Sequence, residues 1–565
     1  MKNLPLACLI LGLPALAQTV SRVNLTSAGA QVTGGHSEGP ALSHDGRYVA
    51  FFSKSPGLVS GDANNREDVF VHDRYTGAME RLSVSSAGVE GNGDSKFPSI
   101  SADGRFVAFE SGATNFDLVP VNSYMDIYVR DRQLGTTELV VKSTAGAPST
   151  FGDSLSPQIS ADGSCVVFES DSNQITGNDN GAFTDIFARD IFAGLTEKIS
   201  VSTGSLPGTS HSYNPSVSGN GSIVAFQSVA TNLIGGDTNN KSDIFVRRRL
   251  LNTTERVSIS SMGTQANGDS SEADISADGR YVAFQSTATN LVANDLNGHQ
   301  DIFVRDLQTN TTELVSLAND GSQANLYSHY PEISADGRYV TFRSAANNLH
   351  AGDTNTADDI YVRDRLLGTT KHLSKSSAGV LANQASDLPA ISGDGRFVAF
   401  DSGATNLVAN DTNARDDIFV SDPAGCAPSI AIRTGAGNVP NSLTANSQPL
   451  VGNAGFGLVY HNPTAACGIA PGAPVVTAID FNGVLSLPLF DGCGGGSGTL
   501  LVNVFGPLPG LTKSGLWTGA PGTASLPLPL DTSLCGLAAH GQSFFVALPA
   551  FSIHPSDAVD LVIGQ

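Results

Sequence analysis

Charge is scarce in this chain and tryptophan nearly absent. Charged residues make up 15% of the 565, with one Trp and four Met, against about 25% charged residues in an ordinary soluble domain. Cations are the rarer sign. The 31 Lys and Arg face 53 Asp and Glu, a formal charge of −22. That lacks the clustered basic footprint that phosphate neutralisation needs, so nucleic acid is not an expected partner. Anionic lipid surfaces would repel the chain as well. Cations, cationic partners and neutral polymers remain. Gly and Pro, 61 and 27, together stay below the ~25–30% of low-complexity disorder.

Long apolar runs are also missing, apart from residues 1–17, MKNLPLACLILGLPALA. This run is shorter than the ~20 residues of a membrane span. Its lone Lys2 and its Ala15-Leu16-Ala17 end read as a secretory signal cleaved before Gln18. The expectation is an extracytoplasmic protein (secreted, periplasmic or at the cell surface) with no transmembrane segment. Cysteine is sparse and uneven. Cys8 would leave with the signal and Cys165 stands alone, whereas Cys426, Cys467, Cys493 and Cys535 lie near the C-terminus. An even set in an exported chain predicts two disulfides, with three connectivities open. No G-x-S-x-G, H-E-x-x-H or C-x-x-C occurs, which removes the sequence support for a serine-hydrolase elbow, a zinc protease or a redox pair.

What is present is repetition. The phrase S-A-D-G-R-[YF]-V-A-F recurs around Asp45, Asp103, Asp162, Asn220, Asp278, Asp336 and Asp394, every 58 or 59 residues. Within each copy come four strand-like runs, in the fifth ADIS, YVAFQS, DIFVRD and TELVSL. An Asp-Gly pair between β-rich runs is a strong hairpin signal. Four antiparallel strands repeated radially make a propeller blade. The seventh copy stops at Asp422-Pro423 without a fourth strand, and the segment from Arg22 to Gly29 matches that from Arg256 to Gly263. The fold expected is therefore all-β: a seven-bladed β-propeller over 18–423, closed by the N-terminal strand. Closure removes two exposed edges. Residues 424–565, rich in Gly, Pro, Leu and Ala, predict a small disulfide-containing β-sandwich.

The hairpin phrase followed by D-[IV]-[FY]-V-x-D resembles the TolB-type, WD-repeat-like β-propeller family. Ala288-Thr289-Asn290-Leu291-Val292 and Ala404-Thr405-Asn406-Leu407-Val408 are similar to the long-bladed form of exported bacterial proteins. The C-terminal phrases PLVGNAGFGLVY and AVDLVIG resemble a module of secreted planctomycete-like proteins. The resemblance implies a fold and an extracytoplasmic setting, and no single activity.

Two sets of residues could carry chemistry. The first is Asp-x-Asn-x-x-x-Asp before the third strand of five copies: Asp62/Asn64/Asp68, Asp237/Asn239/Asp243, Asp295/Asn297/Asp301, Asp353/Asn355/Asp359 and Asp411/Asn413/Asp417; the third copy has Asp179/Gly181/Asp185 and the second keeps only Asn122 and Asp126. Oxygen donors at alternate positions suit Ca²⁺. The competing and preferred reading is that Asp and Asn bond their own backbone in turns. No other cofactor is implied. The second set lies in the loops entering the first strands. Position by position these hold His36, Asp94, Asp153, His211, Asp269, Tyr327 and Ala385, each followed by Ser. Further along, Asp274 and Glu332 stand at channel-lining positions of adjacent blades, where two carboxylates could share a proton or a cation. A sevenfold Ser reads first as a repeated backbone bond.

The function expected is a secreted non-catalytic binding or scaffold protein, its propeller displaying loops to a protein or polysaccharide partner. The alternative is a propeller lyase or glycosidase acting on extracellular polysaccharide, with acid and base drawn from Asp274, Glu332, His36 and His211.

Overall fold

The computed structural model describes residues 18–116, 124–177, 183–355 and 357–423, and, in the C-terminal unit, three short strands. Among the described residues there is no helix long and apolar enough to cross a membrane. The signal-peptide expectation (1–17) and the four C-terminal cysteines fall outside the described residues.

Seven four-stranded antiparallel sheets succeed one another along the chain. Blade one runs Ser37–Leu42, Tyr48–Ser53, Asp68–Asp73 and Ala78–Arg81, from the channel outward. Blade seven takes Ser386–Ile391, Val398–Ser402 and Asp417–Asp422 from one end of the propeller, and Thr19–Arg22 from the other. Thr19 pairs with Asp422 and Arg22 with Phe419, so the N-terminal strand closes the ring as the repeat count predicts. Asn24 locks the seam. Buried, it donates to Ser37 Oγ (3.1 Å) and Asp417 Oδ1 (2.5 Å), and accepts from the Ile418 N–H (3.1 Å).

The recurring phrase explains the blades. In blade one Asp45 Oδ1 accepts from Ser43 Oγ and from the Arg47 N–H, both 2.9 Å, while Arg47 grips Asp73 at the end of the third strand through Nε and Nη2. Bidentate pairs of this kind are the stronger ion pairs. The hairpin glycine is required where it stands. Gly337 has φ +72°, and a Cβ there would lie 2.1 Å from the Tyr281 ring of the preceding blade. Inside each blade an aromatic pair faces itself across the second and third strands, from Phe51/Phe70 to Phe400/Phe419. Phe284 and Phe303, for example, stack with centroids 5.9 Å apart. Such cross-strand pairs hold sheets in register. Cys165 is buried and accepts from Arg249 Nη1.

At the Asp-Gly end of the channel, backbone bonds tie each blade to the next. The His44 N–H donates to Ala102 O, Ala102 to Ala161, Asp162 to Gly219, Gly219 to Ala277, Ala277 to Ala335, Ala335 to Gly393, and Asp394 back to His44. These bonds run through every blade and close on themselves.

In the C-terminal unit Asp480–Phe481, Val484–Pro488 and Thr523–Pro527 pair antiparallel. The rest of the expected sandwich lies outside the described residues.

Candidate functional site: the mouth of the channel

The inner strands begin at the mouth opposite the backbone belt. All seven Ser that open them are buried, and each is bonded through Oγ to the Ser that ends the second strand, from Ser37–Ser53 (2.9 Å) to Ser386–Ser402 (3.0 Å). Each Ser N–H also donates to a carbonyl of the preceding blade, as Ser95 does to Glu67. The preceding side chain has a matching task. His36, Asp94, Asp153, His211 and Asp269 accept the N–H of Asp416, Glu67, Met125, Thr184 and Ser242, at 2.8–3.2 Å. Each is the residue just before a third strand of the neighbouring blade. The five polar loop positions are thus clamps between blades, which is why Asp and His recur there.

Deeper in, Ser216 Oγ donates to Asp274 Oδ1 (2.7 Å) and Asp274 Oδ2 accepts the Ile333 N–H (2.8 Å). Glu332 in turn accepts from the Ile391 backbone. Both carboxyls sit far inside the ring yet remain partly open to the channel. Burial raises the affinity of both for a proton, and for Glu332 the nearby Asp274 charge adds to it. Each also bridges to the next blade through a backbone N–H.

The aspartate loops are knit by their own chain. Asn64 Oδ1 accepts the Arg66 N–H (2.7 Å), while its Nδ2 donates to Asp68 Oδ2 (2.9 Å) and Gly91 O (3.0 Å). Asn239, Asn297 and Asn413 likewise donate to Asp243, Asp301 and Asp417. A cation on the fourth strand then faces the two carboxylates. Arg81 lies 3.6 Å from Asp62, Arg256 lies 3.0 and 3.2 Å from Asp237 and Asp243, and Arg22 lies 3.3 and 3.1 Å from Asp411 and Asp417. In these three blades the geometry is that of an Asx turn neutralised from within the protein. Blade five has Leu314 instead, and there Asp295 Oδ1 has no partner; burial pushes Asp301 up to about 6, as it does Asp68 of blade one even beside Arg81. Blade six is also different, with His372 at this position.

The sequence reading missed the positions at which the mouth breaks its symmetry. Every inner strand carries a β-bulge. The bulged residue has positive φ throughout: Gly39 (60°), Phe97 (45°), Ser156 (54°), Asn214 (48°), Glu272 (48°), Tyr330 (51°) and Leu388 (42°). A bulky residue held in that region marks strain, and strain of this kind concentrates at functional sites. Beside these lies the variable residue of V-A-F-x-S: Phe52, Glu110, Glu169, Gln227, Gln285, Arg343 and Asp401. Several of this second set satisfy the bulges. Asp401 accepts the Gly39 N–H (3.2 Å), Glu169 the Asn214 N–H (2.8 Å), and Gln285 the Tyr330 N–H (2.9 Å). Asn214 Nδ2 also donates to Glu272 Oε1 at 2.7 Å, and Arg343 reaches Asp387 and Asp358 while its guanidinium lies 5.6 Å from the Tyr330 ring centre.

Carboxyls dominate this mouth. Burial, and for Glu110 the nearby Glu169 charge, pushes Glu110 up to about 7; burial followed by the Glu169 charge does the same to Glu272. Asp401 is raised well above its ordinary value by burial, with the charges of Asp387, Glu38 and Asp416 adding to it. Aromatic rings stand among them: Phe97 against Phe52 (5.1 Å), Tyr124 against Phe151 (5.6 Å), and Tyr327 and Tyr330 flanking His329. Phe97, Tyr124, Phe151, Tyr327 and Tyr330 are all exposed. The signal was there to read: the varying letter before the final Ser of V-x-F-x-S, and the residue before each inner-strand Pro or, in blade five, before Ala273.

No family model matches the chain, and no curated relative does. Among solved structures it is similar to an oligogalacturonate lyase in complex with manganese (13% identity, 71% of this chain and 92% of that one, TM-score 0.43). A second oligogalacturonate lyase, from Vibrio parahaemolyticus, matches at 14% identity over 72% of this chain and 97% of its own, TM-score 0.43. TolB from Acinetobacter baumannii matches at 15% identity over 66% of this chain and 80% of its own, TM-score 0.31. At these identities the likeness concerns the fold alone.

Proposed function

We propose that the chain is an extracytoplasmic, non-catalytic binding protein whose propeller presents the bulge-lined mouth to a protein or polysaccharide partner, with residues 424–565 as an attachment or spacer module. One observation carries this reading: exposed rings interleaved with carboxyls at the positions that differ from blade to blade. Rings supply flat apolar area at little entropic cost, and carboxyls accept bonds from hydroxyl or amino groups. With a net charge of −22, neutral or amino-bearing sugars are favoured over polyuronates.

A second reading, a polysaccharide lyase or glycosidase, draws support from Glu110 and Glu272, both held near 7, where an acid or base operates at neutral pH. The tie of Glu272 to Asn214 and the use of its neighbours as acceptors for bulge N–H groups favour the structural role. One experiment separates the two. The mature chain is applied to an array of neutral and amino-bearing glycans, and the released products are analysed. Retention without product is expected, falling at least tenfold in Phe97→Gly and Tyr330→Gly, which adopt the residue blade one already carries as Gly39. Product release would establish the enzyme reading, and retention unaffected by both variants would remove the mouth as the site.

A further inference from the structure

Blade six departs from its siblings in the loop before its third strand. Where blades one, four and seven place Arg81, Arg256 and Arg22 against the loop aspartates, it places His372, which is fully buried. Asn355 makes no hydrogen bond to Asp359 among the described residues. Its Nδ2 turns to Ala382 O (3.4 Å), while its Oδ1 accepts from Ala357 N (3.1 Å). The two carboxylates are thereby each anchored by one oxygen and bare at the other. Ser374 donates to Asp359 Oδ1 and Tyr361 to Asp353 Oδ2, both 2.6 Å. Asp359 Oδ2 and Asp353 Oδ1 are buried without a hydrogen-bond partner, and so are both ring nitrogens of His372.

These groups converge. One donor atom from each of Asp353, Asp359 and His372 lies within 4.8 Å of the others, and His372 Nε2 stands 3.3 Å from Asp359 Oδ2. A second imidazole, His350, packs on the first with ring centres 5.8 Å apart, and its buried Nδ1 also has no partner. An imidazole with two carboxylates suits Zn²⁺ and similar borderline ions better than Ca²⁺, which prefers an all-oxygen shell. The Tyr361 and Ser374 hydroxyls orient the ligand oxygens from behind, as outer partners do in metal sites.

We propose that Asp353, Asp359 and His372 form a transition-metal site, selective for Zn²⁺ over Ca²⁺, built into one blade of seven. Leaving a buried oxygen of each carboxylate and both ring nitrogens of His372 without hydrogen bonds is costly, and a metal ion satisfies three of these groups together. The competing role for His372 is that of a protonated counter-ion to Asp359, a substitute for the arginines.

The test uses the untagged mature chain and zinc alone, with calcium alone as the comparison, read by calorimetric titration and by melting. One zinc per chain and a raised melting temperature are expected, with no comparable response to calcium. His372→Arg installs the residue of blades one, four and seven, so it should melt like the metal-free wild type and bind no zinc at this stoichiometry. Tyr361→Phe, which adopts the residue of five other blades, should weaken zinc about 10–100-fold, with zinc stabilisation read against the variant's own metal-free melt. It carries the test alone if the arginine variant fails to fold. Zinc affinity unchanged in either folded variant, or no zinc bound by wild type, overturns the site.

Discussion

Glu110 offers a quantitative test of the mouth, since its carboxyl is buried, 4% exposed, and raised from the ordinary 4.5 to about 7. Between those two values the folded chain holds a proton that the unfolded chain has released. Stability therefore falls as pH rises from 4.5 to 7, and above 7 the full penalty remains. A difference of about 2.5 units at 1.36 kcal/mol each makes that penalty at most ~3.4 kcal/mol, and relaxation around the site brings it to about 2–3 kcal/mol. Glu110→Gln keeps the shape and an acceptor but never ionises. The variant and wild type should melt together near pH 4.5 and diverge through neutrality, the variant ahead at pH 8. For a ring of roughly 400 residues the unfolding entropy is about 0.8 kcal/mol per degree, so the lead should be about 3 °C. Scanning calorimetry at pH 4.5, 6, 7 and 8 reads this directly. A lead that does not change with pH, or a variant less stable than wild type at pH 8, would refute the assignment of a protonated carboxyl held there by burial.

Two further outcomes follow from the ring itself. Asn24→Ala strips the seam of two donated bonds and one accepted bond in a buried position, and should cost about 2–4 kcal/mol in urea unfolding, with Asp417 left short of a donor. Gly337→Ala forces a Cβ into the Tyr281 ring at positive φ and should cost about 2–4 kcal/mol, seen as a lowered melting midpoint, whereas alanine at Gly29, with open space around it, should cost only the backbone part.

The ring was legible because its information is local. Asp-Gly turns, alternating strands and a 58-residue period each speak within a few residues, and even the missing fourth strand could be matched to Arg22 and its neighbours. The loop positions His36 to Asp269 were legible as a set, but not their task, since the N–H each one accepts belongs to another blade. The bulge residues Glu272 and Tyr330 escaped for a subtler reason. Strict alternation along an inner strand misassigns faces once a bulge intervenes, and nothing in Glu-Ala or Tyr-Pro announces a left-handed residue at Glu272 or Tyr330. His372 was equally readable, as the odd letter in the column that holds Arg81, Lys198 and Arg256, but its meaning needed the bare oxygens around it.

The backbone belt at the Asp-Gly end has a consequence for how the molecule meets other molecules. Seven interblade bonds close the ring at that end, one at each blade boundary. A partner arriving from that side meets the exposed Asp45, Asp103 and Asp162 of the hairpin turns, set over peptide groups already committed to one another. The belt also counts. Each of its seats is taken by one blade, so gaining or losing a copy of the repeat would change the circumference and break every bond in it at once.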